Sequence, residues 1–372
     1  MAVEVSAQKI GNEVMKIGIL TFHRAHNYGA VLQCYALQET LKRMGHDVYV
    51  IDYRQPWIEE FYKYFSFKMM KLRASEPGGV FSYIRNCIKK FLWSPCRRNY
   101  FTSFTDRYLN LTSPCTYTIS QDMDCYVIGS DQLWSLHCLG GSFDDVYLGE
   151  FARPQGSRLI GYAISADVRS VEMLAGSGIA SLRSFDALSM REERIASMVS
   201  TLYGSKCPTC LDPTLLTDEN VWAPVINEKW KERRYVLIYE VRWNKETKGR
   251  LRRKAEELAR KIGDCEVIDL TGMKYPVTDF VSLFKFARYV VTTSFHGIVF
   301  SILFETPFYA LPLWDTYDLR YRELLNVLGL EERLVSHKAD LQPVDMDFLH
   351  SKEKLACMKK SSVEFLINNL AE

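Results

Sequence analysis

The sequence predicts an α/β fold in which two mostly parallel sheets are built from alternating strands and helices. The chain has 372 residues, which is enough for two domains of ordinary size. Short apolar, β-branched runs alternate along it with longer segments of helical periodicity. The same alternation recurs in both halves, which indicates parallel strands joined by helices rather than segregated α and β parts.

In the first half, a strand is predicted at residues 16–22 and a helix at 30–44, with Gly45 as its C-terminal stop. Residues 55–111 are rich in aromatic and basic side chains with irregular helical spacing. They are interpreted as an inserted helical segment, or as a surface that touches a polymer or a lipid-linked acceptor. Further strands are predicted at residues 47–52, 125–128, 158–163 and 185–190.

In the second half, residues 211–215 are interpreted as a strand end followed by the link between the halves. The predicted domains are therefore 1–218 and 219–372, and the last helix is expected to pack back on the N-terminal domain. Strands are predicted at residues 235–241, 267–270, 289–293 and 308–311. Helices are predicted at residues 245–262, 279–287, 320–328 and 361–370.

Composition excludes several classes of protein. The formal net charge is +2, so no nucleic-acid partner is expected from bulk charge. There is no run of eighteen apolar residues and no apolar signal region at the start, so the cytoplasm is the expected location. The ten Cys are scattered, and the Cys207 and Cys210 pair would need two more ligands to hold a structural zinc. No metal site is expected.

The stretch at residues 290–301 carries the main candidate for catalysis. A predicted apolar strand is followed by Ser294, His296 and Gly297. A second apolar segment comes after them and is predicted to be a helix. Strand, tight turn and helix place backbone N–H groups at the carboxyl edge of a sheet, where ligands of open α/β sheets bind. His296 is thus a candidate acid or base, and a satisfied histidine near the core is the alternative.

Three places in the first half show a similar pattern. Ser130 and Asp131 follow a buried strand, and Arg191 stands between a strand and a helix. Asn27 and Gly29 open the first helix, where an anion could bind. A dinucleotide is not expected there, because the G-x-G-x-x-G fingerprint is missing. The alternatives are helix caps for Asp131 and Asn27, and an ion pair with neighbouring glutamates for Arg191.

Five segments together resemble the polysaccharide pyruvyl transferase family over about residues 16–330. The resemblance implies two Rossmann-like domains facing across a cleft, similar to the glycosyltransferase-B type. It also implies phosphoenolpyruvate as donor, no further cofactor, and a sugar of a surface polysaccharide (exopolysaccharide or capsule) or its precursor as acceptor. The segments are residues 27–33 (NYGAVLQ), 128–134 (IGSDQLW), 190–192 (MRE), 211–215 (LDPTL) and 293–297 (TSFHG).

The chain departs from the family pattern in two places. Many relatives carry Asp where this chain has Thr293, and they tend to a Ser-Phe-Gly-like turn where it has Ser165 and Ala166. Two other functions remain open: a glycosyltransferase with a nucleotide-sugar donor, and a non-catalytic relative that binds a sugar or an anion. Peripheral membrane contact through residues 62–93, at the inner face of the membrane, is compatible with either enzyme.

Within the resemblance, each candidate residue has an expected role. Arg191 would bind the donor through two parallel N–H hydrogen bonds from its guanidinium. The helix N-termini near Gly29 and Gly297 would bind the anionic groups of the donor. His296 would protonate the methylene carbon of the donor. Asp131 would orient His296 or accept the proton of the sugar hydroxyl. Further donor-binding residues would be Asn27, Ser130 and Ser294.

Overall fold

The computed structural model describes residues 13–74, 79–93, 95–177, 182–241, 249–313 and 318–371. The chain forms two compact units. The first comprises Met1–Thr209 together with Phe365–Glu372, and the second comprises Cys210–Glu364. The division lies after Thr209, whereas the sequence analysis placed it after residue 218.

The first unit contains a five-stranded sheet in the order β2-β1-β3-β4-β5, and all neighbouring strands are parallel. This confirms the predicted parallel α/β layer. β1, β3 and β4 are the interior strands, and β3 and β4 are buried along nearly their whole length, as expected for a sheet covered on both faces. The strands are β1 (Lys16–Leu20), β2 (Asp47–Val50), β3 (Cys125–Asp131), β4 (Arg158–Ile164) and β5 (Ala187–Met190).

Seven helices belong to the first unit in the described residues. The four between β2 and β3 occupy the segment that the sequence analysis interpreted as a helical insertion. Gly45, which follows the first helix, has a φ of 97°, which glycine adopts without the steric cost of a Cβ. The helices are α1 (Tyr28–Arg43), α2 (Pro56–Tyr62), α3 (Phe67–Arg73), α4 (Gly79–Trp93), α5 (Pro95–Tyr108), α6 (Val168–Ser177) and α7 (Glu193–Tyr203).

The second unit contains a four-stranded, fully parallel sheet in the order β7-β6-β8-β9. It confirms the second predicted α/β layer. β6 and β8 lie in the middle, and their carboxyl ends lead into Glu240 and Thr293. The strands are β6 (Tyr235–Tyr239), β7 (Glu266–Asp269), β8 (Tyr289–Thr292) and β9 (Phe308–Ala310).

The helices that follow Cys210 include one that the sequence analysis did not predict. Residues 211–215 were expected to form a strand end, but the helix α8 begins at Pro213, so that expectation is wrong. Asp212 caps α8, and proline suits its first position because its missing N–H has no helical partner there. The helices are α8 (Pro213–Leu216), α9 (Glu219–Trp222), α10 (Arg250–Ile262), α11 (Val277–Phe286), α12 (Phe295–Leu303), α13 (Asp318–Leu328) and α14 (Leu349–Ala371).

An aromatic core packs α12 against the helices α9 and α11. The ring of Phe300 lies 5.1 Å from that of Trp222 and 5.5 Å from that of Phe280, measured between centroids. All three rings are fully buried. Burying an aromatic side chain contributes about 1.5–3 kcal/mol, so α12 is firmly seated and its first turn has a defined position.

None of the helices in the described parts of the chain is long and apolar enough to cross a bilayer.

Candidate active site

In the first unit, Ser130 holds the guanidinium of Arg191 at the carboxyl edge of the sheet. Nη2 of Arg191 donates to Oγ of Ser130 at 2.5 Å, and that hydroxyl donates to the carbonyl of Ala163 at 2.7 Å. Arg191 is only 8% exposed and Ser130 is fully buried. A buried guanidinium with a fixed direction can bind a carboxylate or a phosphate without losing much side-chain entropy.

Two polar side chains beneath the edge fix Ser130 in turn. The backbone N–H of Ser130 donates to Oε1 of Gln33 at 3.1 Å, and its carbonyl accepts from Oγ1 of Thr21 at 2.7 Å. Nε2 of Gln33 also donates to Oγ1 of Thr21 at 2.8 Å. Sequence reasoning did not name Thr21 or Gln33 as supports. The available signal was a glutamine among the apolar positions of the first helix.

Ser165, one of the two departures from the family pattern, holds a buried carboxylate beside Arg191. Its hydroxyl donates to Oε1 of Glu192 at 2.6 Å, and its backbone N–H donates to the carbonyl of Asp131 at 2.9 Å. Ser165 and Glu192 are both buried. A buried carboxylate needs such hydrogen bonds to offset its loss of hydration. Ser165 therefore links the ends of β3, β4 and β5.

The other first-unit candidates have local roles in the backbone. Oδ1 of Asn27 accepts from the N–H groups of Gly29 and Ala30, so Asn27 caps α1. Asp131 has a φ of 100°, and its Oδ1 accepts from the N–H of Gln132 at 2.8 Å. The N–H of Gly29 is thus already bonded by the cap.

In the second unit, His296 contacts a buried carboxylate. Its Nε2 lies 3.5 Å from Oδ2 of Asp212, and the side chains are 13% and 0% exposed, respectively. The other oxygen of Asp212 accepts from the N–H and the hydroxyl of Thr214 at 3.0 and 2.6 Å. These bonds orient the carboxylate, which in turn can orient the imidazole. Nε2 of His296 is buried and makes no hydrogen bond within the described residues, so its approach to Asp212 is a contact between ionisable groups rather than a hydrogen bond.

The N-terminus of α12 presents backbone donors beside His296. The side chain of Ser294 makes no capping bond, and the first N–H bonded within the helix is that of Ile298. The N–H groups of residues 295–297 precede it and have no intrahelical partner. The N–H of Ser294 itself donates to Oγ1 of Thr292 at 3.0 Å. This helix end suits an anion.

Gly297 is required by close packing rather than by its backbone angles. A Cβ at this position would lie 2.2 Å from Oγ1 of Thr292, the hydroxyl that donates to the carbonyl of Tyr239. Real Cβ contacts are never this short, so any side chain would push α12 away from β8. The glycine therefore keeps the first turn of α12 close to the sheet.

A second titratable group, Glu240, lies at the same edge of this sheet. It directly follows Tyr239, whose carbonyl accepts from the N–H of Thr293 at 3.2 Å. Burial, and then the nearby carboxylate of Asp269, raise the pKa of Glu240 to about 7. Oγ1 of Thr293 is buried and has no hydrogen-bonding partner in the described residues. Sequence reasoning did not single out Glu240.

The structure brings the predicted residues together in two groups. Arg191 and Ser130 form one in the first unit, and Ser294, His296 and Gly297 form the other in the second. The prediction that Asp131 orients His296 stays untested, because the two belong to different units. Within its own unit, His296 contacts Asp212. The motif around Asp212 was recognised in the sequence, but Asp212 was not named as a site residue.

His23 and its neighbours form a further polar cluster in the first unit. Its Nε2 lies 3.0 Å from Asp52, and Arg24 donates two hydrogen bonds of 2.7 Å to the same carboxylate. Burial raises the pKa of Asp52, but the bonds from His23 and Arg24 outweigh it and hold that pKa well below its usual range. Among the described residues, no group of three His, Cys, Asp or Glu side chains could hold a metal.

Several solved structures are similar to this chain over most of its length. Arabidopsis thaliana UGT89C1 is 11% identical, covering 97% of this chain and 100% of its own, with a TM-score of 0.45. The glycosyltransferase SnogD from Streptomyces nogalater is 11% identical, covering 95% and 96%, with a TM-score of 0.37. The UDP-N-acetylglucosamine 2-epimerase from Rickettsia bellii is 9% identical, covering 95% and 98%, with a TM-score of 0.38. These low scores assign no function to the chain.

The sequence itself gives a clearer result. No curated protein is significantly similar to this chain. A family profile described as polysaccharide pyruvyl transferase, however, matches residues 27–316. The match covers most of the chain and includes the segments that contain Ser130, Arg191, Asp212 and His296. The protein therefore belongs to the polysaccharide pyruvyl transferase family.

Proposed function

We propose that this protein transfers a pyruvyl group from phosphoenolpyruvate to a sugar of a surface polysaccharide or its precursor, forming a pyruvate ketal. The observation that carries the proposal is the contact between Asp212 and His296 at the N-terminus of α12. It places an acid–base group, a carboxylate that orients it, and backbone donors for an anion in one small region. Family membership supports the reaction class.

The reaction requires a group that donates a proton to carbon and a group that accepts protons from hydroxyls. First, a proton is added to the methylene carbon of the donor, while a sugar hydroxyl attacks the neighbouring carbon and loses its proton. Then phosphate leaves with the electron pair of its C–O bond, and a second hydroxyl attacks and loses its proton. One proton ends on the new methyl group and the other on phosphate. The reaction needs no cofactor beyond the donor, an intermediate of central metabolism, and we place it in the cytoplasm.

His296 is the proposed acid and base. Histidine changes its protonation near neutral pH, so it can deliver a proton to carbon and then take one from a hydroxyl. Asp212 would stabilise the protonated imidazole by charge attraction and hold Nε2, so that Nδ1 faces the reacting atoms. Asp131 stays a candidate for the proton of the sugar hydroxyl. Glu240, whose pKa is about 7, is a further candidate for that proton.

The donor has two anionic groups, and each unit by itself offers a group that can bind an anion. Arg191, fixed by Ser130, can bind a carboxylate or a phosphate through two parallel N–H bonds. The N–H groups at the start of α12, near Ser294 and Gly297, can also bind such a group. Asn27 and Gly29 are weaker candidates, because the cap of α1 already uses Oδ1 of Asn27 and the N–H of Gly29.

The experiment compares donors and then measures turnover. Phosphoenolpyruvate should raise the melting temperature of the protein, and UDP-glucose should not. With glycan extracts of the native host, phosphate should be released from phosphoenolpyruvate. His296→Gln should lower this release at least about a hundredfold. His350→Gln, an exposed histidine of the same unit, should leave it unchanged.

The two alternatives predict different results. Stabilisation by UDP-glucose but not by phosphoenolpyruvate would replace the proposal with a nucleotide-sugar transferase. Stabilisation by phosphoenolpyruvate without phosphate release, in any extract, would favour a binding protein that does not turn over its ligand.

A further inference from the structure

The described parts of residues 61–88, which are 61–74 and 79–88, expose an unusual amount of apolar surface. Of the fifteen large apolar side chains that are exposed in the described residues, eight belong to this segment. Phe67 and Phe81 are 70% and 74% exposed. Soluble proteins expose such side chains singly, and a concentration of them marks an interaction site. The eight are Phe61, Phe65, Phe67, Leu72, Val80, Phe81, Ile84 and Ile88.

The segment is held in a defined shape. The hydroxyl of Tyr83 on α4 accepts from the N–H of Ser66 at 2.7 Å and lies 3.1 Å from its carbonyl. Ser66 is buried and caps α3, since its Oγ accepts from the N–H of Met69. The ring of Phe65 lies 4.9 Å from that of Phe67. These contacts tie α3 to α4, so the exposed side chains are carried on a pair of joined helices.

The apolar side chains of α4 form a stripe. Phe81, Ile84 and Ile88 are spaced by three and four residues, which places them on one face of the helix. All three are exposed. A helix of 15 residues is shorter than the about 20 residues that span a bilayer. Such a stripe is typical of a helix that lies along an apolar boundary.

The charge of the same region is strongly positive. Residues 61–88 contain five Lys and Arg and one Glu, a balance of +4, although the whole chain carries only +2. The remainder of the chain is therefore acidic on balance. Lys68, Lys71 and Arg85 are basic residues of α3 and α4, the helices that carry the exposed apolar side chains. The positive charge and the apolar stripe thus occur on the same two helices.

We infer that residues 61–74 and 79–88 form a surface that docks on an anionic lipid bilayer. Exposed Phe, Ile and Leu gain from contact with acyl chains, and Lys and Arg gain from anionic headgroups. A nucleic acid would use the charges but not the aliphatic side chains. A protein interface would be depleted in Lys, which this segment contains repeatedly. The inference does not depend on the proposed function, because docking needs neither donor nor glycan.

The test is co-sedimentation of the full chain with vesicles. Binding is expected to vesicles of phosphatidylcholine mixed with phosphatidylglycerol, and much less to phosphatidylcholine alone. The double variant Phe67→Ser/Phe81→Ser should lose about tenfold in vesicle affinity or more. Lys68→Glu/Lys71→Glu should lose a similar amount and weaken the salt dependence. The matched control is Tyr117→Ser/Leu349→Ser, two equally exposed apolar side chains elsewhere, which should bind as wild type does.

Two further measurements make the test decisive. The phenylalanine variant should melt at the wild-type temperature, because both rings are mostly in solvent. Anionic vesicles should slow amide hydrogen exchange in α3 and α4 of the unaltered protein, which requires no variant. Equal sedimentation of the phenylalanine variant and wild type, or unchanged exchange in both helices, would overturn the inference. So would binding of an RNA homopolymer with no binding of anionic vesicles.

Discussion

Replacing Asp212 with Asn tests whether the buried carboxylate assists His296. The substitution removes the charge 3.5 Å from Nε2 but keeps the shape of the side chain. It also keeps the helix cap, because Asn accepts the N–H of Thr214 as well as Asp does. The free energy of unfolding should therefore change by less than about 1 kcal/mol. Any large loss of activity would come from the missing charge.

The size of that loss follows from the geometry. At 3.5 Å and an effective dielectric constant of about 20, two unit charges attract each other by about 5 kcal/mol. The His296 side chain is 13% exposed, so solvent replaces part of this attraction when the carboxylate is removed. We expect about 2 kcal/mol to be lost from the step in which the imidazole is charged. This corresponds to a fall in kcat of about 30-fold.

The assay is phosphate release from phosphoenolpyruvate in the presence of host glycan extract. The KM for phosphoenolpyruvate should not rise, because removing a negative charge does not weaken the binding of an anion. The control is Asp218→Asn, a second helix-capping aspartate of the same unit, which should leave kcat unchanged. If Asp212→Asn keeps kcat within about threefold of wild type, while His296→Gln abolishes turnover, the carboxylate has no role in the chemistry.

Three further predictions concern packing, titration and donor binding. Gly297→Ala should destabilise the protein by about 1–3 kcal/mol in urea unfolding, because the added methyl meets a strand hydroxyl. Gly176→Ala, in a helix with open space around it, should instead gain about 0.5–1 kcal/mol. The pKa of Glu240 is raised from 4.5 to about 7, so between these values the unfolded state loses its proton first and stability falls as pH rises. Glu240→Gln should therefore be more stable than wild type by about 1–2 kcal/mol near pH 8 and equal to it near pH 4. An equal gain in stability at the two pH values would contradict the raised pKa of Glu240. Ser130→Ala should raise the KM for phosphoenolpyruvate about tenfold, because the guanidinium it holds becomes loose, whereas Ser189→Ala in β5 of the same sheet should not.

Local sequence pattern predicted most of the architecture. The apolar runs at residues 16–22 and 289–293 became central strands of the two sheets, because β-branched side chains suit a sheet buried on both faces. Helical periodicity and Gly45 bounded the first helix to within two residues. The strand, turn and helix around His296 were found for the same reason, since period and capping are properties of neighbouring residues.

One local signal was present and was misinterpreted. Asp212 followed by Pro213 is a capping residue followed by the residue that best suits the first helical position. It was interpreted as a strand end, because a helix of four residues is too short to show a period. Recognising Asp212 as a helix cap would have predicted α8. It would not have predicted that the carboxylate of Asp212 contacts His296.

The amino-acid sequence alone determined which segments became strands and helices, and which polar residues came to stand at the ends of strands. Only the tertiary structure decided which of those residues touch. Asp212 reaches His296 and Ser165 reaches Glu192 across long stretches of chain. The pKa of Glu240 depends on burial and on a carboxylate from another strand. Contacts of this kind depend on the packing of sheets and helices, and they produce no periodicity in the residues that make them.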